Sequence, residues 1–171
     1  MELEERVAAL ERRMAALEGA ERPAPDRRAS TESALWALEG FKAELAEAGE
    51  QGADGGVLFT GSVRLPTEER YEWQFGALTE RLLDEEWAET ADSFAALGHP
   101  VRLRLLREIL GGRRTAAELA ELAEIGTTGQ IYHHLKQLTG AGWLHTTGRG
   151  RYEVPGARVV PLLVMLTAAR P

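Results

Sequence analysis

The stretch from Gly126 to Val154 constrains the fold of this chain more than any other part of its sequence. Thr127 and Thr128 can cap a helix that begins near Gly129, because a threonine oxygen accepts a hydrogen bond from a free backbone amide of the first turn. The apolar residues that follow are spaced i, i+4, i+7 and form one stripe: Ile131, Leu135 and Leu138. The opposite face is polar: Gly129, Gln130, His133, Lys136 and Gln137. The pattern predicts a short helix that buries one side and leaves the other free to contact a partner.

A β-hairpin with a basic tip is predicted directly after this helix. Residues 143–147 and 151–154 have the pattern of two strands, and Gly148-Arg149-Gly150 joins them in a tight turn that holds an arginine between glycines. Before the helix, residues 115–125 form a shorter helical pattern, whose predicted inward positions are Ala117, Leu119 and Leu122. The predicted order is therefore helix, tight turn around Gly126, helix and hairpin.

This order resembles the winged helix-turn-helix domain of ArsR-type bacterial repressors over residues 94–166. Four segments carry the resemblance: ALGHPVRLRLL, TAAELAELAEI before the turn, YHHLKQL in the second helix and AGWLHTTGRGRYEV in the hairpin. The implied fold class is mainly α with small β, a winged domain with additional N-terminal helices and a β-hairpin. The implied function is a dimeric, sequence-specific DNA-binding transcriptional regulator, with recognition helix 128–139 in the major groove and wing 143–154 on the minor groove or backbone. The alternative is a winged-helix protein–protein interaction scaffold without sequence-specific DNA binding.

The candidate DNA-binding residues are basic or polar side chains in and around these segments. Thr127 and Thr128, with the free amides of the helix start, can contact phosphate, whereas side chains of the polar face can reach base edges. Arg149 at the wing tip is expected to enter the minor groove or to contact its phosphates. The full set is Arg113, Arg114, Thr127, Thr128, Gln130, His133, Lys136, Gln137, Arg149 and Arg151.

The charge distribution favours a basic binding module behind an acidic arm. The chain has a net charge of −7. Residues 1–90 hold 10 basic and 21 acidic side chains, a net charge of −11, whereas residues 91–171 hold 10 and 6, a net charge of +4. The basic half is the one that resembles the winged domain, as expected for contact with DNA.

Residues 1–18 carry a heptad pattern that predicts a short coiled-coil helix. The seam alternates steps of four and three residues: Leu3, Val7, Leu10, Met14 and Leu17. Val7 and Met14 occupy heptad position a, and the three leucines occupy position d. A β-branched residue at a with leucine at d favours a parallel pair of helices. Because so short a seam is marginal alone, it is expected to add to a dimer formed elsewhere; the other reading is a single amphipathic helix lying on its own domain. Residues 19–30, which include Pro23 and Pro25, are a predicted linker.

Residues 31–76 form a predicted accessory region, a helix followed by a β-hairpin over 57–75. A lone two-stranded hairpin is not stable by itself, so it must pack on a helix, on a second copy or around a ligand. Two interpretations stay open, a structural brace and a pocket for a small-molecule effector near the hairpin. Residues 77–171 are assigned to the winged DNA-binding and dimerisation domain. By the family resemblance, its helices at 77–97 and 158–168 form the dimer interface, with the last helix contributing Leu162, Met165 and Leu166.

Other chemistries find no support in the sequence. The absence of cysteine excludes disulfides and thiolate metal sites. His133 and His134 are adjacent on a helix and point about 100° apart, whereas metal-binding pairs prefer i, i+4, so His134 is expected to pack at the core edge and no metal or cofactor is expected. No catalytic motif is present, which predicts that the chain is not an enzyme. The longest apolar run, Val159 to Leu166, is too short to span a bilayer, and the chain starts with acidic residues rather than a secretory signal. The expected location is the cytoplasm, without a membrane partner.

Overall fold

The computed structural model describes residues 35–52, 54–122, 125–148 and 150–170. The chain divides into two units, and the second, Leu45–Pro171, holds the elements that build the site. In chain order, the helices and strands are α1 (Trp36–Glu47), β1 (Gly56–Arg64), β2 (Arg70–Leu78), α2 (Thr79–Asp84), α3 (Ala91–Leu97), α4 (Pro100–Leu110), α5 (Ala116–Ala120), α6 (Thr128–Gly140), β3 (His145–Thr146), β4 (Tyr152–Glu153) and α7 (Gly156–Ala168). Helices dominate and the strands pair in two antiparallel hairpins, which confirms the predicted mainly α fold with small β content.

Some predictions fall outside the described residues. They are the coiled coil at 1–18, the linker at 19–30 and the wing-tip residue Arg149. The coiled-coil seam belongs to the first of these segments: Leu3, Val7, Leu10, Met14 and Leu17.

The core lies between α4, α5, α6 and α7. Each of these helices contributes side chains that are at most 2% exposed: Leu105, Leu106 and Ile109, then Leu119, then Ile131, Leu135 and Leu138, then Val159, Val160 and Leu162. The three residues from α6 are the stripe that its periodicity predicts. Complete burial of one such aliphatic side chain contributes about 1.5–3 kcal/mol, so this stripe holds α6 firmly and fixes which of its faces is outward.

Trp143 and Leu144 belong to the core rather than to the wing strand in which the sequence placed them. Both side chains are 1% exposed. The indole N–H of Trp143 donates to the carbonyl oxygen of Ser93 at 3.1 Å, and the guanidinium of Arg158 lies 4.9 Å from the ring centroid. Burial of this large ring draws the chain inward after α6, so the first wing strand begins only at His145.

The hairpin β1–β2 packs against α7 along one of its faces. Its register pairs Phe59 with Phe75 and Val63 with Tyr71, so these four residues lie on the same face. Val63 and Tyr71 pack against the core next to the turn. Farther along the strand, Gly61 approaches Val160 of α7 so closely that a Cβ at residue 61 would lie 2.6 Å from Cγ1 of the valine.

The predicted long helix at 77–97 is wrong. Leu78 pairs with Gly56 at the end of the hairpin, so β2 takes the first residues of the predicted helix. Glu85 and Glu86 are extended (ψ 143° and 100°), and a carboxylate oxygen of Glu86 accepts a hydrogen bond from the backbone N–H of Ala88 at the start of a 3-10 turn. The helical spacing of apolar residues therefore continues through a stretch that is not α-helical. This stretch divides the segment into α2 and α3.

Two smaller boundaries also differ from the sequence prediction. α5 is only five residues long, and it buries Ala116 and Leu119 while Ala117 is exposed. The last helix begins at Gly156, two residues before the predicted start at 158.

Candidate nucleic-acid interface

Matched capping interactions hold the starts of α5 and α6. Thr115 caps α5, where its hydroxyl accepts from the backbone N–H of Glu118 at 3.2 Å and the Glu118 carboxylate accepts from the N–H of Thr115 at 2.8 Å. The hydrogen bonds that its carboxylate accepts lower the pKa of Glu118, and the one from the backbone N–H of Thr115 is the largest cause. Thr127 caps α6 in the same manner with Gln130 as its partner. These capping pairs fix the backbone conformation at the start of each helix.

Gly126 makes the turn possible. Its φ is +105°, a conformation that L side chains rarely adopt. A Cβ at this position would also lie 2.5 Å from Oε1 of Gln130, the atom that accepts from the backbone N–H of Thr127. Gly126 therefore allows the positive φ of the turn and leaves room for the Gln130 side chain that caps α6.

The polar face of α6 is open to solvent, as the periodicity predicts. The exposed positions are Thr128, Gly129, Gln130, Tyr132, His133, Lys136 and Gln137. Tyr132 is 53% exposed and was missed by the sequence analysis, which treated only the neighbouring polar residues as contacts. Its position in the sequence, four residues before Lys136 and outside the apolar stripe, could have identified Tyr132 as part of the exposed face. A phenol at this position can donate a hydrogen bond to phosphate or to a base edge.

Both glutamines of this face already use their side-chain carbonyl oxygens within the protein. Oε1 of Gln130 accepts from the backbone N–H of Thr127 at 2.8 Å. Oε1 of Gln137 accepts from the guanidinium of Arg102, which also donates to two backbone carbonyls at the end of α3. The NH2 group of each glutamine is a donor that can contact a base.

His134 lies at the edge of the core, as predicted, while His133 is exposed. The ring of His134 is 4.7 Å from that of His99, centroid to centroid, and its Nδ1 is buried without a hydrogen-bond partner in the described part of the chain. Burial lowers the pKa of His134, and His99, Arg102 and His133 lower it further by charge. Among the described residues, no three His, Cys, Asp or Glu side chains lie together as a metal site.

The wing is attached to the start of α5 as well as to α6. The backbone of Arg151 forms an antiparallel β-bridge with that of Thr115, and the backbone N–H of Tyr152 donates to the carbonyl oxygen of Arg114 at 2.6 Å. Gly148 and Gly150 have φ values of +48° and +69°, so the glycines predicted to flank the wing tip do supply the left-handed backbone. Arg151 is exposed.

The structure separates the two arginines predicted before α5. Arg113 is half exposed and its Nε lies 3.8 Å from a carboxylate oxygen of Glu108. Arg114 is only 17% exposed and its guanidinium pairs with both Glu69 and Glu153. Burial opposes the charge of Arg114, but the hydrogen bond and charge of Glu69, with those of Glu153, outweigh it and raise the pKa of the guanidinium. The predicted role of Arg114 as a DNA contact stays a prediction, and the guanidinium is already engaged by two carboxylates within the protein.

A capped helix, a glycine turn, a second helix with an open polar face and an attached hairpin define a winged helix-turn-helix domain. Residues 97–146 match the family described as "Helix-turn-helix domain". The chain is also 39% identical over 79 residues to a probable mercury resistance operon repressor of Streptomyces lividans, an alignment that covers 44% of this chain and 62% of that protein. These findings confirm the predicted resemblance to ArsR-type winged helix-turn-helix regulators.

Two further comparisons complete the description. No solved structure is significantly similar to this chain. In the described segments, every helix is too short or too polar to cross a membrane.

Proposed function

We propose that this chain is a cytoplasmic, DNA-binding transcriptional regulator that acts as a dimer. The observation that carries the proposal is the division of α6, whose apolar stripe is fully buried while its polar face is exposed along its whole length. A helix of 13 residues is about 20 Å long, which suits insertion into a major groove. The helix-turn-helix match and the repressor relative support the same function.

The proposed contacts divide into positioning and reading groups. Thr127, Thr128 and the free amides at the start of α6 bind phosphate. The reading side chains lie farther along the polar face: Gln130, Tyr132, His133, Lys136 and Gln137. Arg113, Arg149 and Arg151 contact the backbone or the minor groove, and Arg114 is left out of this set. Two copies would place their recognition helices about 34 Å apart, on successive major grooves of a pseudo-palindromic site.

A groove between α3 and α7 supports the dimer. It has a volume of about 450 Å³ and is lined chiefly by apolar side chains: Phe94, Leu97, Leu103, Met165 and Leu166. Phe94 is 59% and Leu166 38% exposed, which leaves apolar surface for a partner copy to cover. Leu162 is fully buried within its own chain, so we leave it out of the proposed interface. The coiled coil predicted at 1–18 lies outside the described residues; we propose that it adds to the dimer.

A second groove, between β1 and α7, is the proposed effector site. It also has a volume of about 450 Å³, in the range of small-molecule sites, and its lining carries no charged side chain: Phe59, Thr60, Gly61, Val63, Val160, Leu163, Val164, Thr167 and Ala168. We propose an uncharged, largely apolar molecule as its ligand. The described relative is a probable mercury resistance repressor, but mercury sensing is not proposed here because soft metals select thiolate ligands and this sequence has no cysteine.

Selection of genomic fragments by the purified protein, followed by binding at several salt concentrations, tests the regulator proposal. We expect enrichment of one sequence and a steep salt dependence. Lys136→Ala should weaken binding and reduce the salt slope by about one. The matched control is Lys42→Ala, which removes the other lysine of the chain from α1 and should leave binding unchanged. A protein that shows no preference over bulk DNA would instead be the interaction scaffold.

A further inference from the structure

Arg114 joins three segments that are far apart in sequence. Its Nη1 lies 2.9 Å from Oε1 of Glu153 in the wing strand β4, and its Nη2 donates to Glu69 in the turn of the hairpin β1–β2. Arg114 itself precedes the cap of α5. We call these three side chains, Glu69, Arg114 and Glu153, the arginine bridge. They are 38%, 17% and 29% exposed, respectively, so the charges are partly removed from water.

Both ends of the arginine bridge are held in place by further hydrogen bonds. The hydroxyl of Thr67 donates to the same carboxylate oxygen of Glu69 at 2.6 Å, and the backbone N–H of Leu65 donates to the carbonyl of Glu69 at 2.9 Å. At the other end, the carbonyl of Arg114 accepts from the backbone N–H of Tyr152 at 2.6 Å. The turn of the accessory hairpin is therefore connected to the wing through one planar guanidinium, whose Nη1 and Nη2 donate to different carboxylates.

This geometry has a consequence for the wing, which is a small element. Its two strands pair over only two residues each, His145 with Glu153 and Thr146 with Tyr152. So short a hairpin is not stable by itself and takes its position from what it packs against. The arginine bridge is a charged, partly buried contact between the wing and the hairpin. Removal of Arg114 would leave two carboxylates uncompensated, whereas removal of Glu69 leaves the Arg114–Glu153 pair and breaks the connection to the hairpin.

We propose that Glu69 and Arg114 are positioning residues for DNA binding, through which the hairpin β1–β2 holds the wing in the orientation that contacts DNA. The proposal rests on the function proposed above and deepens it, because it assigns the accessory hairpin a part in the DNA-binding head. The same hairpin lines the groove against α7 at Phe59 and Val63. A ligand in that groove would thereby have a physical connection to the wing.

A double-mutant cycle between Glu69 and the wing tip in the full chain tests the proposal. Glu69→Gln should weaken binding to the selected DNA by about fivefold. In the Arg149→Ala background, whose wing contact is already lost, the same change should alter the affinity by less than about twofold. The matched control is Glu68→Gln in the same turn, because among the described residues the carboxylate of Glu68 forms its ion pair with the exposed Arg64; it should behave as the wild type in both backgrounds.

The cycle separates positioning from a general loss of stability. A merely destabilising change would act equally in both backgrounds, and such equal effects, or no effect in either, would overturn the proposal. Arg114→Lys keeps the charge but cannot donate to both carboxylates in the same geometry, so it should lower the DNA affinity in part. In the Arg149→Ala background this effect should disappear as well.

Hydrogen exchange gives a readout that does not depend on DNA. Glu69→Gln should raise the exchange of wing amides over 145–154 and leave those of the buried stripe of α6 protected, whereas Glu68→Gln should change neither. If the wild type bound no specific DNA, the proposed function would fail while this measurement still tested the bridge. Unchanged wing exchange in Glu69→Gln would refute the positioning role.

Discussion

Gly61 of β1 lies directly against Val160 of α7, so that a Cβ on the glycine would lie 2.6 Å from Cγ1 of the valine. Val160 is 1% exposed and β-branched, so it cannot turn aside easily. We expect Gly61→Ala to push the hairpin from α7 and to lower the free energy of unfolding by about 1–3 kcal/mol. Denaturant titration of the purified variant measures this loss.

The matched control is a second glycine-to-alanine change with open space around it. Gly129→Ala, in the first turn of α6, would meet no heavy atom within 4 Å. Because alanine has a higher helix propensity than glycine, this variant should be more stable than the wild type by up to about 1 kcal/mol. Equal stability of Gly61→Ala and the wild type would show that the hairpin is free to move on α7.

The stability of the domain should depend on pH through His134. Burial lowers the pKa of His134 in the folded protein, with smaller contributions from the charges of His99, Arg102 and His133. The unfolded chain therefore binds more protons as the pH falls below about 6.5, and the protein loses stability from that pH downwards through the lowered folded pKa. Above about 6.5 the contribution of His134 is fully present.

Thermal unfolding between pH 7.5 and 5.5 measures this effect. His134→Phe keeps an aromatic ring against His99 but removes the titrating group, so we expect its melting temperature to fall less with pH than that of the wild type. His99 and His133 remain in the variant, so the difference isolates His134. The control is His145→Phe on the exposed strand β3, which should retain the pH dependence of the wild type. An identical pH dependence in His134→Phe would rule out the role of its burial.

Local sequence patterns predicted those features that depend on neighbouring residues. The i, i+4, i+7 stripe of α6 and the cap at Thr127 require only contacts within a few residues, and the structure has both. The hairpin at 57–75 likewise follows from alternation and a turn, although its strands extend to Gly56 and Leu78. Periodicity determines the local conformation when no distant contact competes with it.

The features that the sequence patterns did not show depend on contacts between distant parts of the chain. Arg114 was predicted to contact DNA because it is basic and precedes α5, but its partner Glu69 is 45 residues away, in a region outside the family resemblance. Leu162 was assigned to a dimer interface because α7 is apolar nearly all round, and sequence alone does not tell which side faces the chain's own core. The prediction of one long helix at 77–97 failed because Leu78 pairs with Gly56 in the hairpin and the backbone is extended at Glu85 and Glu86, although the apolar spacing continues through both.

The cap of α6 should contribute to both stability and DNA binding. Thr127 Oγ1 accepts from the backbone N–H of Gln130 at 3.4 Å, and the Gln130 side chain accepts in return from the N–H of Thr127. We expect Thr127→Ala to cost about 1 kcal/mol of stability and to weaken DNA binding, since the phosphate-binding amides lose their order. Thr127→Ser keeps the hydroxyl and should restore both quantities. Failure of serine to restore them would assign the effect to the methyl group rather than to the cap.

The groove between α3 and α7 gives the final prediction, which concerns the dimer. Leu166 lines this groove and is 38% exposed, so a carboxylate at this position would be buried without a partner when a second copy covers it. We expect Leu166→Glu to raise the dimer dissociation constant at least about tenfold while the monomer stays folded, as measured by sedimentation with circular dichroism. Val57→Glu, an exposed apolar residue of β1 outside this groove, is the matched control and should leave dissociation unchanged. Leu162→Ala should act differently, because it removes a fully buried side chain and costs about 2–5 kcal/mol of folding stability rather than affinity. A Leu166→Glu protein that remained dimeric would place the interface elsewhere, and the coiled coil at 1–18 would then be the next segment to test by deletion.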